Sequence, residues 1–175
     1  MDAEDLPQGV HVLRRILFEG FARGNTDLVD ELCSPDLIEH QFGLEGRGAE
    51  AIAHVKKAIT QVHEAMPDLH YDLEDWATRG NTAWVRFYGR GTNTGPFFGP
   101  PSGKAVELTV VDIATVVDGR ITEHWGVPDR FSLLQQTGVL ARLRPGAAAV
   151  DNPLAAPGGK PGDLPGVSPK GAGLV

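Results

Sequence analysis

The sequence contains one cysteine, Cys33, in 175 residues. A single thiol excludes an intrachain disulfide and any metal site built from several cysteines. Its place in a helical pattern predicts a small, buried hydrophobic side chain. Basic residues are also scarce, because 16 lysines and arginines stand against 23 acids and the formal net charge is -7. With no run of lysine or arginine, the composition argues against a protein that binds the phosphate backbone of nucleic acids.

Several sequence signals of other protein classes are missing. No apolar run approaches the length that crosses a bilayer, and the acidic N-terminus lacks the apolar stretch of a secretory signal. We therefore predict a cytoplasmic protein with no membrane partner. The chain has no short-spaced metal-binding cluster, no glycine-rich phosphate cradle and no Gly-x-Ser-x-Gly nucleophile motif. These absences argue against metal, nucleotide and serine-hydrolase chemistry.

Composition divides the chain into two parts. Residues 1–143 alternate helical and strand patterns, and they are numerous enough for one domain with a substantial core. Residues 144–175 contain no aromatic side chain and many prolines and glycines, which predicts a disordered tail.

Within the domain, the spacing of apolar residues predicts helices first and a sheet afterwards. Helices are predicted over residues 6–23, 49–65 and 130–136, with a further short helix after Thr26-Asp27. Strands are predicted over residues 37–42, 69–74, 82–90, 106–117 and 120–129. Helices followed by consecutive hairpins are typical of an α+β fold. We expect a curved, mostly antiparallel sheet that forms a half-barrel around the N-terminal helices and encloses a hydrophobic pocket.

The strongest local signal is the hairpin centred on Asp118-Gly119, a pair that readily adopts the positive φ angles of a tight turn. Its first arm is rich in β-branched residues but contains one acid, Asp112, and its second arm contains His124. A carboxylate in such an apolar run must be hydrogen-bonded, paired or functional, because burying it alone is costly. Asp112 and His124 are therefore the leading candidates for an acid/base pair, and a structural ion pair is the alternative.

The sequence does not determine the register of this hairpin. A two-residue turn places Asp112 opposite Trp125, whereas a three-residue turn with a bulge at Gly119 places Asp112 opposite His124. We prefer the second register because it separates a polar face from an apolar one. The predicted apolar face then consists of Val111, Ile113, Val117, Ile121, Trp125 and Val127.

Three segments carry motifs that occur together in one protein family. They are FARGN followed by PDLIEH within residues 21–40, GPFFGPPSGK at 95–104, and VDGRITEHW followed by LLQQTG within 117–138. Over about residues 10–140 the chain resembles the SnoaL-like polyketide cyclases, or ester cyclases, of the nuclear-transport-factor-two-like superfamily. The resemblance implies a cone-shaped α+β barrel, commonly dimeric or tetrameric, with a hydrophobic pocket and no cofactor. It also implies ring closure of a polyketide by an intramolecular aldol condensation.

The resemblance also indicates site residues. Asp112 falls where the cyclases place a polar pocket residue, and His124 matches the histidine of their Glu-His-Trp run. Glu39 and His40 lie near a polar pocket residue of the first strand. The family places its acid/base aspartate two residues after the histidine, and here that position is Gly126. Either Asp112 has taken over the role, or the protein performs different chemistry in the same pocket.

The sequence thus predicts a cofactor-independent cyclase, of lyase or isomerase type, that acts on a hydrophobic, polyketide-like carbonyl substrate and forms a homodimer or homotetramer. Asp112 would abstract a proton, His124 would orient Asp112 or protonate the product oxygen, and His40 would polarise the carbonyl. An epoxide-opening hydrolase or cyclase, a non-catalytic module that binds a small molecule, and a dimerising scaffold are the alternatives. Further candidates for substrate contact are Glu39, Trp84, Arg86, Tyr88, Phe97, Phe98, Trp125 and Asp129, although core packing explains most of the aromatic residues and helix capping explains Asp129.

Overall fold

The computed structural model describes residues 6–142, and the predicted tail at 144–175 lies outside this range. Its helices are α1 (Gln8–Arg15), a π-helix (Ile16–Phe21), α2 (Asp27–Leu32), α3 (Ala49–Ala65), α4 (Arg130–Gln136) and α5 (Val139–Arg142). Its strands are β1 (Cys33–Glu39), β2 (Gly46–Arg47), β3 (His70–Arg79), β4 (Thr82–Thr92), β5 (Ala105–Val117) and β6 (Arg120–Pro128). Helices α3 and α4 begin and end where the sequence predicts. None of the helices within residues 6–142 is long and apolar enough to span a membrane.

The strands form one curved, unclosed sheet in the order β2-β1-β6-β5-β4-β3. Strands β1 and β6 run parallel, and the other neighbours run antiparallel. Buried side chains from the sheet and from α1, α2 and α3 form a single core. The predicted α+β half-barrel is therefore confirmed.

The predicted first helix is in fact two helices. After α1 the chain widens into the π-helix, where the amide of Ala22 donates to the carbonyl oxygen of Leu17, five residues earlier, at 3.0 Å. Gly20 in this segment is buried against α3, where Cδ1 of Ile59 lies 3.4 Å from the position a Cβ atom would take. Within this wider turn Leu17 and Phe21 line the interior cavity. Such π segments are frequent at functional sites.

The first strand begins earlier than predicted. Cys33, which we placed in a helical pattern, is the first residue of β1 and is buried. The strand includes Pro35, which lacks an amide donor, and its pairing with β6 shifts register between Cys33 and Ile38. A proline is tolerated at such an irregularity. The strand predicted at 37–42 was therefore placed too far towards the C-terminus.

The hairpin register also differs from our preference. Asp118 and Gly119, with φ angles of 50° and 76°, form a two-residue turn that pairs Val117 with Arg120. The extra residue lies instead in β6, at Thr122, where the pairing with β5 shifts. The prediction of a three-residue turn was wrong. The bulge that changes which side chains of β6 face the interior lies within the strand and not at the turn.

This bulge determines which side chains share the interior face. Asp112 lies opposite Gly126, and His124 lies opposite Ala114, so Asp112 and His124 are diagonal neighbours and not a direct pair. Both nevertheless lie on the interior face, because the bulge turns Ile121 and His124 to the same side. The predicted apolar face is, apart from Ile121, the outer face. The interior side chains of β5 are Val106, Leu108, Val110, Asp112, Ala114 and Val116.

Candidate active site

A cavity of about 300 Å³ lies between the concave face of the sheet and the helices. Most of its wall is apolar and comes from the π-helix, α3, β5 and the loop before β5. The principal polar side chains in the wall are Glu39, Gln41, Gln61, Tyr71, Asp112, His124 and Arg130. A small number of polar groups in an apolar cavity is the usual composition of a site for a small molecule.

Three of these side chains form a buried cluster. The Nδ1 atom of His124 lies 2.8 Å and 3.0 Å from the two carboxylate oxygens of Glu39, and its Nε2 atom lies 3.6 Å from Oδ1 of Asp112. The side chains of Glu39 and Asp112 are 2% and 4% exposed, and that of His124 is 15% exposed. Strand β6 lies between β1 and β5, so the imidazole lies between one carboxylate from each neighbouring strand.

The two carboxylates determine the charge of the imidazole. Burial by itself lowers the pKa of His124, but Asp112 and Glu39 together outweigh burial and raise this pKa above its usual 6.5. His124 is therefore an imidazolium at neutral pH. Its Nδ1–H donates to Glu39, which leaves the Nε2–H on the side of Asp112 and the cavity. Within residues 6–142, no group of three or more His, Cys, Asp or Glu side chains is arranged to hold a metal ion.

The absence of a side chain at Gly126 creates room beside Asp112. A Cβ atom on Gly126 would lie 1.9 Å from Oε1 of Gln41 and 3.1 Å from Oδ1 of Asp112. The carboxamide of Gln41 therefore occupies the space over Gly126 and lies next to the carboxylate. Its backbone amide also donates to Oε1 of Glu39 at 2.8 Å. Gln41 thus bonds to Glu39 through its backbone and places its carboxamide near Gly126 and Asp112.

Tyr71 contributes a neutral hydroxyl to the cavity wall. Its side chain is buried, and it packs against Phe18 and Phe87. Burial first, and then the negative charge of Asp112, raise the pKa of Tyr71. The phenol therefore keeps its proton and remains available as a hydrogen-bond donor.

The structure brings together five of the side chains predicted from the sequence and separates the others. Glu39, Phe97, Phe98, Asp112 and His124 line the cavity.

His40, in contrast, lies outside the cavity lining. Its ring stacks on Trp125 with centroids 4.5 Å apart, and its Nε2 atom lies 2.9 Å from Oε1 of Glu123. Successive strand residues point to opposite faces, so the neighbours of inward-facing Glu39 and His124 point outwards.

The remaining candidates also lie away from the cavity lining. Trp84, Arg86 and Tyr88 alternate along β4 with the buried side chains of the core and point to the outer face. Arg86 forms an ion pair with Glu74 on the neighbouring strand. Asp129 accepts a hydrogen bond from an amide in the first turn of α4 at 2.9 Å, which is the capping role considered for it.

Comparison with known proteins agrees with this geometry. The family model of the SnoaL-like polyketide cyclases matches residues 11–137. The chain belongs to this family.

Two related SnoaL-like proteins are aklanonic acid methyl ester cyclases, DauD of Streptomyces sp. (strain C5) and DnrD of Streptomyces peucetius. Each is 30% identical over 139 residues, which cover 74% of this chain and 81% and 90% of the respective relative. Among solved structures, wild-type IdmH from Streptomyces antibioticus has a TM-score of 0.61 and 28% identity, and the match covers 75% of this chain and 99% of IdmH. The fold is nuclear-transport-factor-two-like, as the resemblance implied.

Sequence reasoning missed four polar residues of this SnoaL-like cavity, namely Gln41, Gln61, Tyr71 and Arg130. Gln41 could have been found from alternation, because buried Leu37 directs residues 39 and 41 to the interior and residue 40 outwards. Arg130 had no such signal, since it reaches the cavity from the start of α4. The same alternation explains why His40, although adjacent to Glu39, does not share its environment.

Proposed function

We propose that the protein is a cytoplasmic, cofactor-independent cyclase that closes a ring of a hydrophobic polyketide-like carbonyl compound by an intramolecular aldol reaction. The observation that carries this proposal is the buried cluster of Glu39, His124 and Asp112 in the wall of an apolar cavity. The identity of its SnoaL-like relatives, which act on aklanonic acid methyl ester, supports the substrate class.

In the proposed reaction, Asp112 is the base. It removes an acidic proton from the carbon between two carbonyl groups of the substrate, and the resulting carbanion attacks a ketone carbon in the same molecule. The new C–C bond converts the ketone oxygen into an alkoxide, which takes the Nε2 proton of His124. Proton transfer by positioned side chains of this kind typically contributes about 10²- to 10⁴-fold to a rate.

The cluster also returns the catalyst to its starting state. After one turnover Asp112 holds the substrate proton and His124 has lost its own, so the pair is neutral. The two groups are 3.6 Å apart, and a proton shift from Asp112 to Nε2 restores the carboxylate and the imidazolium. Glu39 maintains the orientation of the ring throughout, because it accepts from Nδ1. No net proton is taken up, as required for an isomerising ring closure.

Gln41 and Tyr71 complete the proposed machinery as hydrogen-bonding groups beside Asp112. Gln41 is held over Gly126, and the neutral Tyr71 hydroxyl provides a donor for an enolate oxygen. This arrangement supports the interpretation that Asp112 has replaced the aspartate that the family carries at position 126. In this proposal His40 does not contact the substrate.

Turnover of aklanonic acid methyl ester, followed by chromatography, tests the proposal. We expect Asp112→Asn to reduce turnover by about 100-fold or more. The matched control is Asp72→Asn, which removes an exposed carboxylate that pairs with Arg90 outside the cavity and should leave turnover unchanged. Full turnover by Asp112→Asn would exclude Asp112 as the base. Binding of the ester without any product would favour the non-catalytic binding module, and turnover of an epoxide in place of the ketone would favour the epoxide-opening alternative.

We also propose that two copies pair through the outer face of the sheet. Large apolar side chains remain exposed there, with Trp84 at 37%, Val117 at 40% and Val127 at 62%. Exposed apolar surface on a sheet is typical of a protein–protein interface, and the resemblance implies dimers for this family. The cavity opens on the opposite side of the sheet, so pairing would leave substrate access free.

A further inference from the structure

The cavity has a further polar side chain, at its open end and outside the buried cluster. Arg130 begins α4, two residues after β6 ends, and its side chain lines the cavity. The lining residues beside it, Phe42 and Phe98, are 80% and 55% exposed, which identifies this region as the opening. His124 and Pro128, both in the cavity wall, are four positions apart along β6, which corresponds to about 13 Å of extended strand. A ligand that spans this length of the cavity must be elongated.

Two aromatic rings accompany the guanidinium group of Arg130. Its central carbon lies 5.9 Å from the ring centre of Phe42 and 6.0 Å from that of Phe98. Its Nη1 atom donates to the backbone oxygen of Phe42 at 2.7 Å. Phe98 has a φ of 54°, which residues other than glycine rarely adopt. The backbone thus holds an apolar ring at the opening at a conformational cost, which is common at ligand-binding positions.

The charge of Arg130 has no local carboxylate partner. Among residues 6–142, carboxylate oxygens lie within 4.0 Å of Arg15, Arg86 and Arg90 but not of Arg130. Partial burial lowers the pKa of Arg130, and the charge of Glu45 offsets this only in part. A partly dehydrated guanidinium with one carbonyl acceptor retains several N–H donors. Such a group favours an anionic oxygen ligand.

We propose that Arg130, Phe42 and Phe98 form a recognition subsite for an anionic oxygen group, a carboxylate or an ionised phenol, carried by a planar multi-ring substrate at the end remote from the reacting carbon. The inference rests on the proposed function, because it assumes that the cavity holds the substrate. The guanidinium binds the anion while the two phenyl rings contact the adjacent aromatic faces. The subsite thereby orients the substrate so that its other end reaches Asp112 and His124.

Fluorescence titration with three anthracene-type probes tests this subsite without requiring turnover. The probes are anthracene-2-carboxylate, its uncharged methyl ester, and 1,2-dihydroxyanthraquinone as the phenol. We expect the wild type to prefer an anionic probe over the ester, and Arg130→Gln to weaken binding of that probe about tenfold or more while the ester is unaffected. Arg130→Lys should retain part of the preference.

The matched control is Arg14→Gln. The guanidinium of Arg14 lies 4.5 Å from the ring centre of Phe18 but outside this cavity, so the control should bind all three probes as the wild type does. Equal affinity of the wild type for acid, phenol and ester would overturn the subsite, as would an equal loss for all probes in Arg130→Gln. Response of only one anionic probe would support the subsite and identify its anion. If the probes bind without any charge preference while Asp112→Asn is inactive in the cyclisation assay, the subsite is refuted but the proposed function is not.

Discussion

Alanine at position 126 tests the arrangement of Gln41 and Asp112 most directly. The new methyl carbon would lie 1.9 Å from Oε1 of Gln41, so the carboxamide must move by about 1.5 Å to reach an ordinary contact distance. The obstacle is the end of a flexible side chain, and we therefore expect a stability cost near the lower end for overpacking, about 1 kcal/mol. A displacement of this size beside a catalytic carboxylate should reduce turnover by about 10- to 100-fold.

A double-mutant cycle separates this contact from other effects of the methyl group. Urea unfolding and turnover are measured for Gly126→Ala, Gln41→Ala and the double variant. Once Gln41 is shortened, the added methyl meets only Oδ1 of Asp112, at 3.1 Å, so Gly126→Ala should cost much less stability in that background. The coupling energy between the two positions should be about 1 kcal/mol. Equal destabilisation by Gly126→Ala in both backgrounds would refute the proposed contact.

Three further predictions concern His124, His40 and the outer face. Because the pKa of His124 is raised above 6.5, its ion pairs stabilise the fold fully below pH 6.5 and lose that contribution as the pH rises through the raised pKa. Urea unfolding of the wild type and His124→Gln should therefore differ more near pH 6 than above about pH 10, and a difference that grows with pH over this range would contradict this. His40→Gln should leave kcat unchanged in the cyclisation assay, since His40 stacks on Trp125 outside the cavity lining. Trp84→Glu should convert a dimer to a monomer in light-scattering chromatography without altering probe binding; a monomeric wild type would refute pairing.

Much of the fold follows from local patterns in the sequence. Helix α3 has regular apolar spacing between Gly48 and Met66, and α4 follows the capping residue Asp129, so both could be bounded correctly. Asp112 was recognisable because it interrupts an apolar strand, and His124 because it lies on the other arm of a hairpin with an evident turn.

The remaining features depend on interactions that no local pattern encodes. Nothing in the sequence around Thr122 distinguishes a bulge from regular pairing, yet the bulge turns His124 to the interior. The bounds of β1 depend on an irregular parallel pairing with β6, so the residues at which this strand begins and ends could not be assigned from the sequence. Arg130 reaches the cavity only through the packing of α4.

The position of His124 between β1 and β5 has a consequence for folding. Its carboxylate partner Asp112 lies on the adjacent hairpin strand β5, whereas its other partner, Glu39, precedes His124 by 85 residues. Contacts of such long range form late, because the intervening chain must first be closed into a loop. During synthesis, α1, α2 and β1 emerge well before β6, and Glu39 remains without its histidine partner until β6 docks. A pulse-labelling experiment should therefore find protection of the His40 amide, which donates to the carbonyl oxygen of His124, only in a late folding phase, together with the appearance of catalytic competence.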